Sequence, residues 1–376
     1  MRTPLGFYVH VPFCRVRCGY CDFNTYTATE LGGGASQAVY ADQAIAEIGQ
    51  AARVLGPRHV DTVFFGGGTP TLLPSEDLVR ILQAVDGELG LVEGAEVTTE
   101  ANPDSVTPDS LGRLRDGGFT RISFGMQSAV PHVLATLDRT HDPDRVPKAV
   151  AWAREAGFHQ VSLDLIYGTP GESVADWRAS LEAALDCGPD HVSAYSLIVE
   201  KGTALARRVR AGELPMPDED DLADKYLLAD ELLEQAGLHW YEVSNWARDD
   251  ASRCEHNRLY WTSADWWGVG PGAHSHVRGR RWWNVKHPRA YAGRVASGAS
   301  PELDSEVLDD KTRWTERILL EVRLIEGLPM DVLDGVGRSR IRDLVARELL
   351  TETCERVVLT RQGRLLADAV VRELVS

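Results

Sequence analysis

Apolar and polar positions along the first two hundred residues follow two rhythms. Runs rich in β-branched and aromatic residues fall at 7–13, 61–65, 96–101, 121–124, 160–166 and 191–199, each closed near Gly, Pro or polar residues. Such runs predict strands. Thr62, Val63, Phe64 and Phe65 form a nearly continuous apolar stretch, as expected of a parallel strand buried on both faces. Between the runs, apolar positions take helical spacing. Residues 36–55 are rich in Ala, and Pro74, Ser75, Glu76 and Asp77 open a second helix with an acidic first turn, which suits the helix dipole. Thr107 before Pro108 and Asp142 before Pro143 each place a cap ahead of a proline at the first helical position. Gly118, Gly157 and Gly237, followed by Phe119, Phe158 and Leu238, read as left-handed glycines that stop three helices.

Strand alternating with helix predicts right-handed βαβ units in a parallel α/β sheet. Six units suggest a partial (β/α)6-type barrel, whose chemistry belongs at the C-terminal strand ends. After Val199 the alternation weakens. Residues 215–221 form an acidic, proline-containing connector into an amphipathic helix through Ala236, and 239–243 read as one more strand. Three regions are expected: a barrel core over 1–240, an aromatic-rich segment over 241–304 and a C-terminal α+β domain over 305–376. In the last, 357–364 reads as a strand and tight turn after a helix, resembling the wing of a winged-helix domain.

Composition narrows the class. A chain of 376 residues, 43% apolar and 26% charged, is an ordinary globular protein of more than one domain. Its net charge of -16 argues against a non-specific binder of phosphate backbones. The tail from Ser305 holds 12 Lys or Arg against 14 Asp or Glu, whereas a DNA-reading winged helix is usually basic. A lid or partner-docking role is expected of it, and no nucleic acid. There is no apolar run long enough to span a membrane, and the first residues lack a secretory h-region. A cytoplasmic location is expected, with contact to a membrane only transiently through an acceptor.

Six cysteines are too few for a disulfide framework, yet Cys14, Cys18 and Cys21 lie within eight positions directly after the first strand. Clustered thiolates suit zinc or an iron–sulfur cluster. Cys187, Cys254 and Cys354 stand alone, so a second zinc-type pair is missing. Three ligands on a four-iron cluster leave one iron open to a small molecule. At the end of the second strand, Gly66, Gly67, Gly68, Thr69 and Pro70 read either as a flexible turn or as a place where backbone approaches a ligand closely.

Together these two motifs resemble the radical S-adenosylmethionine superfamily, which implies a 4Fe-4S cluster whose open iron chelates the methionine group of the cofactor. Glu100 and Asn102, Gln127, and Asp164 stand at or near the ends of later strands. A carboxylate there can accept from ribose hydroxyls, and Arg139 can pair with the cofactor carboxylate. Tyr8 to Cys14, Phe65 to Thr71, Glu100 to Pro103, Phe124 to Ser128 and Asp164 to Gly168 are similar to the oxygen-independent coproporphyrinogen III oxidase family. That resemblance assigns the cluster to Cys14, Cys18 and Cys21. It assigns S-adenosylmethionine contacts to Tyr8, Tyr20, Gly67, Gly68, Thr69, Glu100, Gln127, Arg139, Asp164 and Ile198.

The chain departs from the true oxidases in two ways. Phe23 stands where they carry a fourth nearby cysteine, and the first strand begins too early for their N-terminal extension. Both departures resemble a paralogous haem-chaperone branch, as does the HNxxYW motif at His256, Asn257, Arg258, Leu259, Tyr260 and Trp261. A His beside aromatic rings can ligate or border a porphyrin, or it can be a packed core histidine. His256, Tyr260 and Trp261 are therefore the haem candidates, with Cys254, His274 and His276 weaker ones. The resemblance implies haem as cargo, haem-accepting proteins as partners (respiratory ones among them), an electron donor if the cluster is redox-active, and a homodimer as an open option. The alternative is the oxidase reaction, radical decarboxylation of two porphyrinogen propionates to vinyl groups.

Overall fold

The computed structural model describes residues 2–31 and 36–375. Six parallel strands follow one another: β1 Leu5–Val11, β2 Val60–Gly67, β3 Leu91–Ala101, β4 Arg121–Gln127, β5 Gln160–Tyr167 and β6 His191–Ser196. A helix fills every crossover. Past β6 the sheet continues through β7 His239–Glu242 and β8 Asn245–Ala247, with β8 antiparallel between them. Past β1 it continues through β9 Asp265–Val269, parallel to β1, then the antiparallel β10 His274–Val277, β11 Arg280–Asn284 and β12 Glu302–Val307. β1 lies between β9 and β2 while β6 lies between β5 and β8, so the barrel is an open arc. Residues 241–304 are built into this sheet through β8 to β12.

The strands are two-faced. Phe7, Val9, Phe65, Ile122, Leu163 and Val192 are fully buried in the main core beneath the helices. The alternate residues, among them Tyr8, Thr98, Ser123, Ser162 and Ser193, line a hollow interior. The stretch 62–65 is thus split by strand alternation: Val63 and Phe65 go to the core, Thr62 and Phe64 inward. A parallel barrel normally fills its centre with branched apolar residues; here hydroxyls and charges keep it open.

Helix ends largely follow local chemistry. Gly118, Gly157 and Gly237 have φ of 104, 92 and 79°. The next N–H, from Phe119, Phe158 and Leu238, bonds the carbonyl five residues back at 3.1, 3.0 and 2.9 Å. Thr107 caps its helix in a reciprocal capping box with Ser110. Asp142 differs from expectation: its carboxylate accepts from the Asp144 N–H at 3.0 Å in a local turn, and the helix starts at Arg145.

The C-terminal part has its own core, including Ile318, Leu344, Val357 and Val370. Its small antiparallel sheet joins β13 Leu328–Pro329, β14 Leu350–Glu352 and β15 Arg356–Leu359. The expected tight turn at 361–364 is instead the short helix Arg361–Leu365, capped by Thr360 accepting the Gly363 N–H at 2.9 Å; the hairpin turns at 353–355. Arg361 and Arg364 reach Asp230 at 2.7 and 2.8 Å, and Glu326 meets Arg253 and Arg258 at 3.0 Å. These contacts, with Leu308 N–H to Gly279 O at 2.9 Å, hold the domain at the N-terminal end of the parallel strands. That is the floor of the barrel, opposite the expected chemistry, so the domain is not a lid.

Candidate functional site

The rim is built first by backbone. Cys14 N–H donates to Tyr26 O at 3.0 Å and Tyr26 N–H to Pro12 O at 2.7 Å, closing the cysteine loop over the end of β1. Gly68 N–H bonds Val11 O at 2.8 Å, and Thr69 N–H bonds Phe13 O at 2.7 Å, so the glycine run is laced to that loop. Two of its glycines are obligatory. Gly67 has φ 105°, and a Cβ there would lie 2.5 Å from the His10 ring. A Cβ on Gly68 would lie 2.4 Å from Phe13 O. His10 ties the cysteine loop to β1: its Nδ1 meets Tyr8 Oη at 3.0 Å and its Nε2 meets Asn24 O at 2.9 Å.

One cavity of about 560 Å³ gathers Cys14, Cys18, Cys21, Tyr8, Tyr20, Gly67, Gly68, Thr69, Glu100, Gln127, Arg139, Asp164 and Ile198, together with His256 and Tyr260. Trp261 is not on its wall. The three half-buried thiols are unpaired in any disulfide. Burial and the neighbouring Cys21 push the Cys14 thiol up to about 11. Among the described residues no three His, Cys, Asp or Glu side chains converge on a single metal ion. The three thiols line one cavity, and clustered thiolates suit an iron–sulfur cluster.

Across that space stand ionisable groups held away from water. Burial, and then the charge of Asp164, lift the Glu100 carboxyl to about 8; its Oε2 accepts the Gly67 N–H at 3.2 Å. Burial also raises Asp164, which accepts from Ser123 Oγ at 2.9 Å. Arg139 donates to Gly125 O at 2.6 Å and approaches Cys18 Sγ at 3.6 Å, while its buried Nε lacks a partner in the protein. Gln127 sits at φ 63°, where β4 slips register against β5. This bulge turns its side chain inward at a cost in backbone strain. A guanidinium and two carboxylates around a glycine cradle fit a zwitterionic ligand that carries hydroxyls.

The HNxxYW motif lies deeper. Helix Glu255–Trp261 lies against the starts of β1 and β2, where Gly6 leaves room for Leu259 and His256. The His256 Nδ1 meets Thr62 Oγ1 at 2.7 Å, and its Nε2 meets Tyr260 Oη at 2.9 Å. Burial lowers the imidazole to about 3, so it is neutral. Its ring stacks on Phe64 at 5.2 Å, and Phe64 stacks on Tyr8 at 6.3 Å. Glu96 anchors the helix start by accepting the N–H groups of Glu255 and His256 at 3.1 and 3.0 Å. Arg121, 2% exposed, holds Glu96 at 3.1 Å. Cys254 gives its thiol to Glu96 at 3.5 Å and is buried, and His276 is buried against Ala264 O. His274 lies on β10 with its ring stacked on Trp283.

Arg121, Thr98, Ser162, His191 and Ser193 also line the cavity and were missed from sequence. The signal was present: polar residues at most alternate positions of β3 to β6, among them Thr98, Glu100, Ser123, Ser162, Asp164 and Ser193, where a filled barrel would be apolar.

The sequence profile of the radical SAM superfamily matches residues 8–184. The chain is 52% identical to the Heme chaperone HemW of Mycobacterium tuberculosis over 99% of its own length and 95% of that protein. It is 32% identical to the Heme chaperone HemW of Escherichia coli over 98% and 97%. The solved radical SAM enzyme coproporphyrinogen III oxidase (HemN) of Escherichia coli superposes with a TM-score of 0.85 over 100% of this chain and 90% of that one. At 23% identity that likeness shows the fold alone.

Proposed function

Because the chain belongs to the HemW family of radical S-adenosylmethionine proteins, we propose that it binds haem and hands it to haem-dependent proteins. Family likeness across nearly the whole chain carries this reading. Superfamily membership implies a 4Fe-4S cluster and S-adenosylmethionine. We assign the cluster to Cys14, Cys18 and Cys21. Arg139 would pair with the cofactor carboxylate, Gly67 to Thr69 would offer backbone to its amino group, and Glu100 and Asp164 would accept from ribose hydroxyls. Tyr8, Tyr20, Gln127 and Ile198 would close around it. When bound, this cofactor pair supplies one-electron chemistry that can generate an adenosyl radical.

The chain's own groups prepare that site. Arg139 sets a positive charge beside Cys18, Ser123 orients Asp164, and His10 ties the cysteine loop to β1. Among the described residues no helix is long and apolar enough to cross a membrane. We place the protein in the cytoplasm, meeting its acceptors there or transiently at the membrane surface, with an electron donor wherever the cluster is redox-active.

A paired anaerobic assay tests the function. Cluster-loaded protein is given S-adenosylmethionine, reductant and coproporphyrinogen III, and separately titrated with haem by absorbance. Saturable haem binding without decarboxylation is expected. Vinyl-bearing product at catalytic turnover would replace the carrier reading with the oxidase one.

A further inference from the structure

The carrier reading, on which this inference rests, requires a seat for the porphyrin. His256 is poorly placed to provide it. Both ring nitrogens are engaged, Phe64 covers its face, and it lies level with Thr62. At about 3.3 Å per residue, that is roughly 13 Å below Gly66. An iron ligand there would have to break a buried hydrogen bond at the bottom of the barrel.

The mouth of the cavity has the opposite character. Val16, Phe23 and Ile198 are 45%, 58% and 64% exposed, and all three border the opening. Val16 and Phe23 ride on the cysteine loop, and Ile198 on the segment after β6. The two segments are tied beneath the rim: Tyr20 and Val199 both pack against the small core that holds Leu197 and Leu205, and Leu205 N–H bonds Gly19 O at 2.8 Å. Exposed apolar side chains gathered on the wall of one cavity, with polar residues around them, mark a binding surface. Arg15 stands exposed on the same rim. Asp22, Asp104, Asp138 and Glu200 complete the border, so a ligand that is anionic all round is disfavoured. A flat ligand with apolar faces and negative charge at one edge fits.

We propose that haem is received at this mouth, one macrocycle face against Val16, Phe23 and Ile198 and a propionate on Arg15. The seat lies directly over the cofactor cavity, so loading of the cavity and loading of haem share one rim. Holding is by stacking and apolar contact, so the iron is not the anchor.

The test titrates cluster-loaded protein, with S-adenosylmethionine present, with haem and with metal-free protoporphyrin. Wild type should bind both within about threefold of each other, and the double variant Val16→Ser, Phe23→Ser should bind both about tenfold more weakly or worse. Its four-iron paramagnetic signal and S-adenosylmethionine binding should persist. Wild-type affinity in the double variant, or binding of haem but not of metal-free porphyrin, overturns the seat while leaving the carrier reading intact. Binding of neither ligand by wild type defeats the carrier reading and the seat with it. If the double variant fails to take up the cluster, Arg15→Glu decides. It should weaken haem about fivefold and leave the porphyrin dimethyl ester unchanged; equal effects on both, or none, overturn the seat.

Discussion

Glu100 shows what a single buried group contributes. Its carboxyl is held at about 8 against an ordinary 4.5. Below about 4.5 both folded and unfolded chains carry the proton; between 4.5 and 8 only the folded chain keeps it. The stability linked to this proton is therefore full in acid and lost as pH rises toward 8. The ligand-free protein should melt at progressively lower temperature from pH 5 to pH 8, and Glu100→Gln should flatten that slope, as read by calorimetry across the range. An unchanged slope would mean the carboxyl is solvated in the folded chain. The carboxylate's presence at a strand end was legible in the sequence. Its raised proton affinity was not, because its burial, and then the approach of Asp164, arise only when β3, β4 and β5 pair side by side.

At the level of elements, the strands expose the limit of reading apolar runs. Thr62, Val63, Phe64 and Phe65 look uniformly apolar, and only alternation against a hollow interior separates core from cavity wall. Helix Glu255–Trp261 makes the same point from the other side. Its motif is plain in the sequence, but its role as a floor under β1 and β2 depends on Glu96, some 160 positions earlier in the chain. Glu96→Ala should cost about 3–5 kcal/mol. It would leave Arg121 buried without its carboxylate and free two N–H groups at a helix start. Denaturant unfolding measures this, and a loss below about 1 kcal/mol would show that the pair is solvent-screened.

For the whole molecule, the C-terminal domain is a brace rather than a cover. Asp230 is 5% exposed at its side chain and pairs with Arg364 at 9%, while the Trp246 indole also donates to it at 3.0 Å. Asp230→Asn should destabilise the chain by about 3 kcal/mol or more and split thermal unfolding into two transitions, the C-terminal core melting apart from the sheet. Because the domain sits at the floor, amide hydrogen exchange across 310–375 should stay unchanged when S-adenosylmethionine binds, while the cysteine loop and 198–205 gain protection. Protection gained across 310–375 instead would restore the lid.

By itself the sequence determined the local matters: the order of strand and helix, the glycine stops, the three thiols, the glycine cradle and the family they indicate. These depend on neighbours within a few residues, where periodicity and backbone sterics act. Tertiary structure decided which strand face is hollow, that His256 is a neutral floor residue with both nitrogens engaged, and that the tail lies opposite the mouth. Those outcomes turn on contacts such as Thr62 with His256, 194 positions apart, and Asp230 with Arg364, 134 apart, about which short-range pattern carries no information. Phe23 spans both scales. Its place after Cys21 is a sequence fact, but only the fold leaves it exposed on the wall of the cavity that Ile198 also lines.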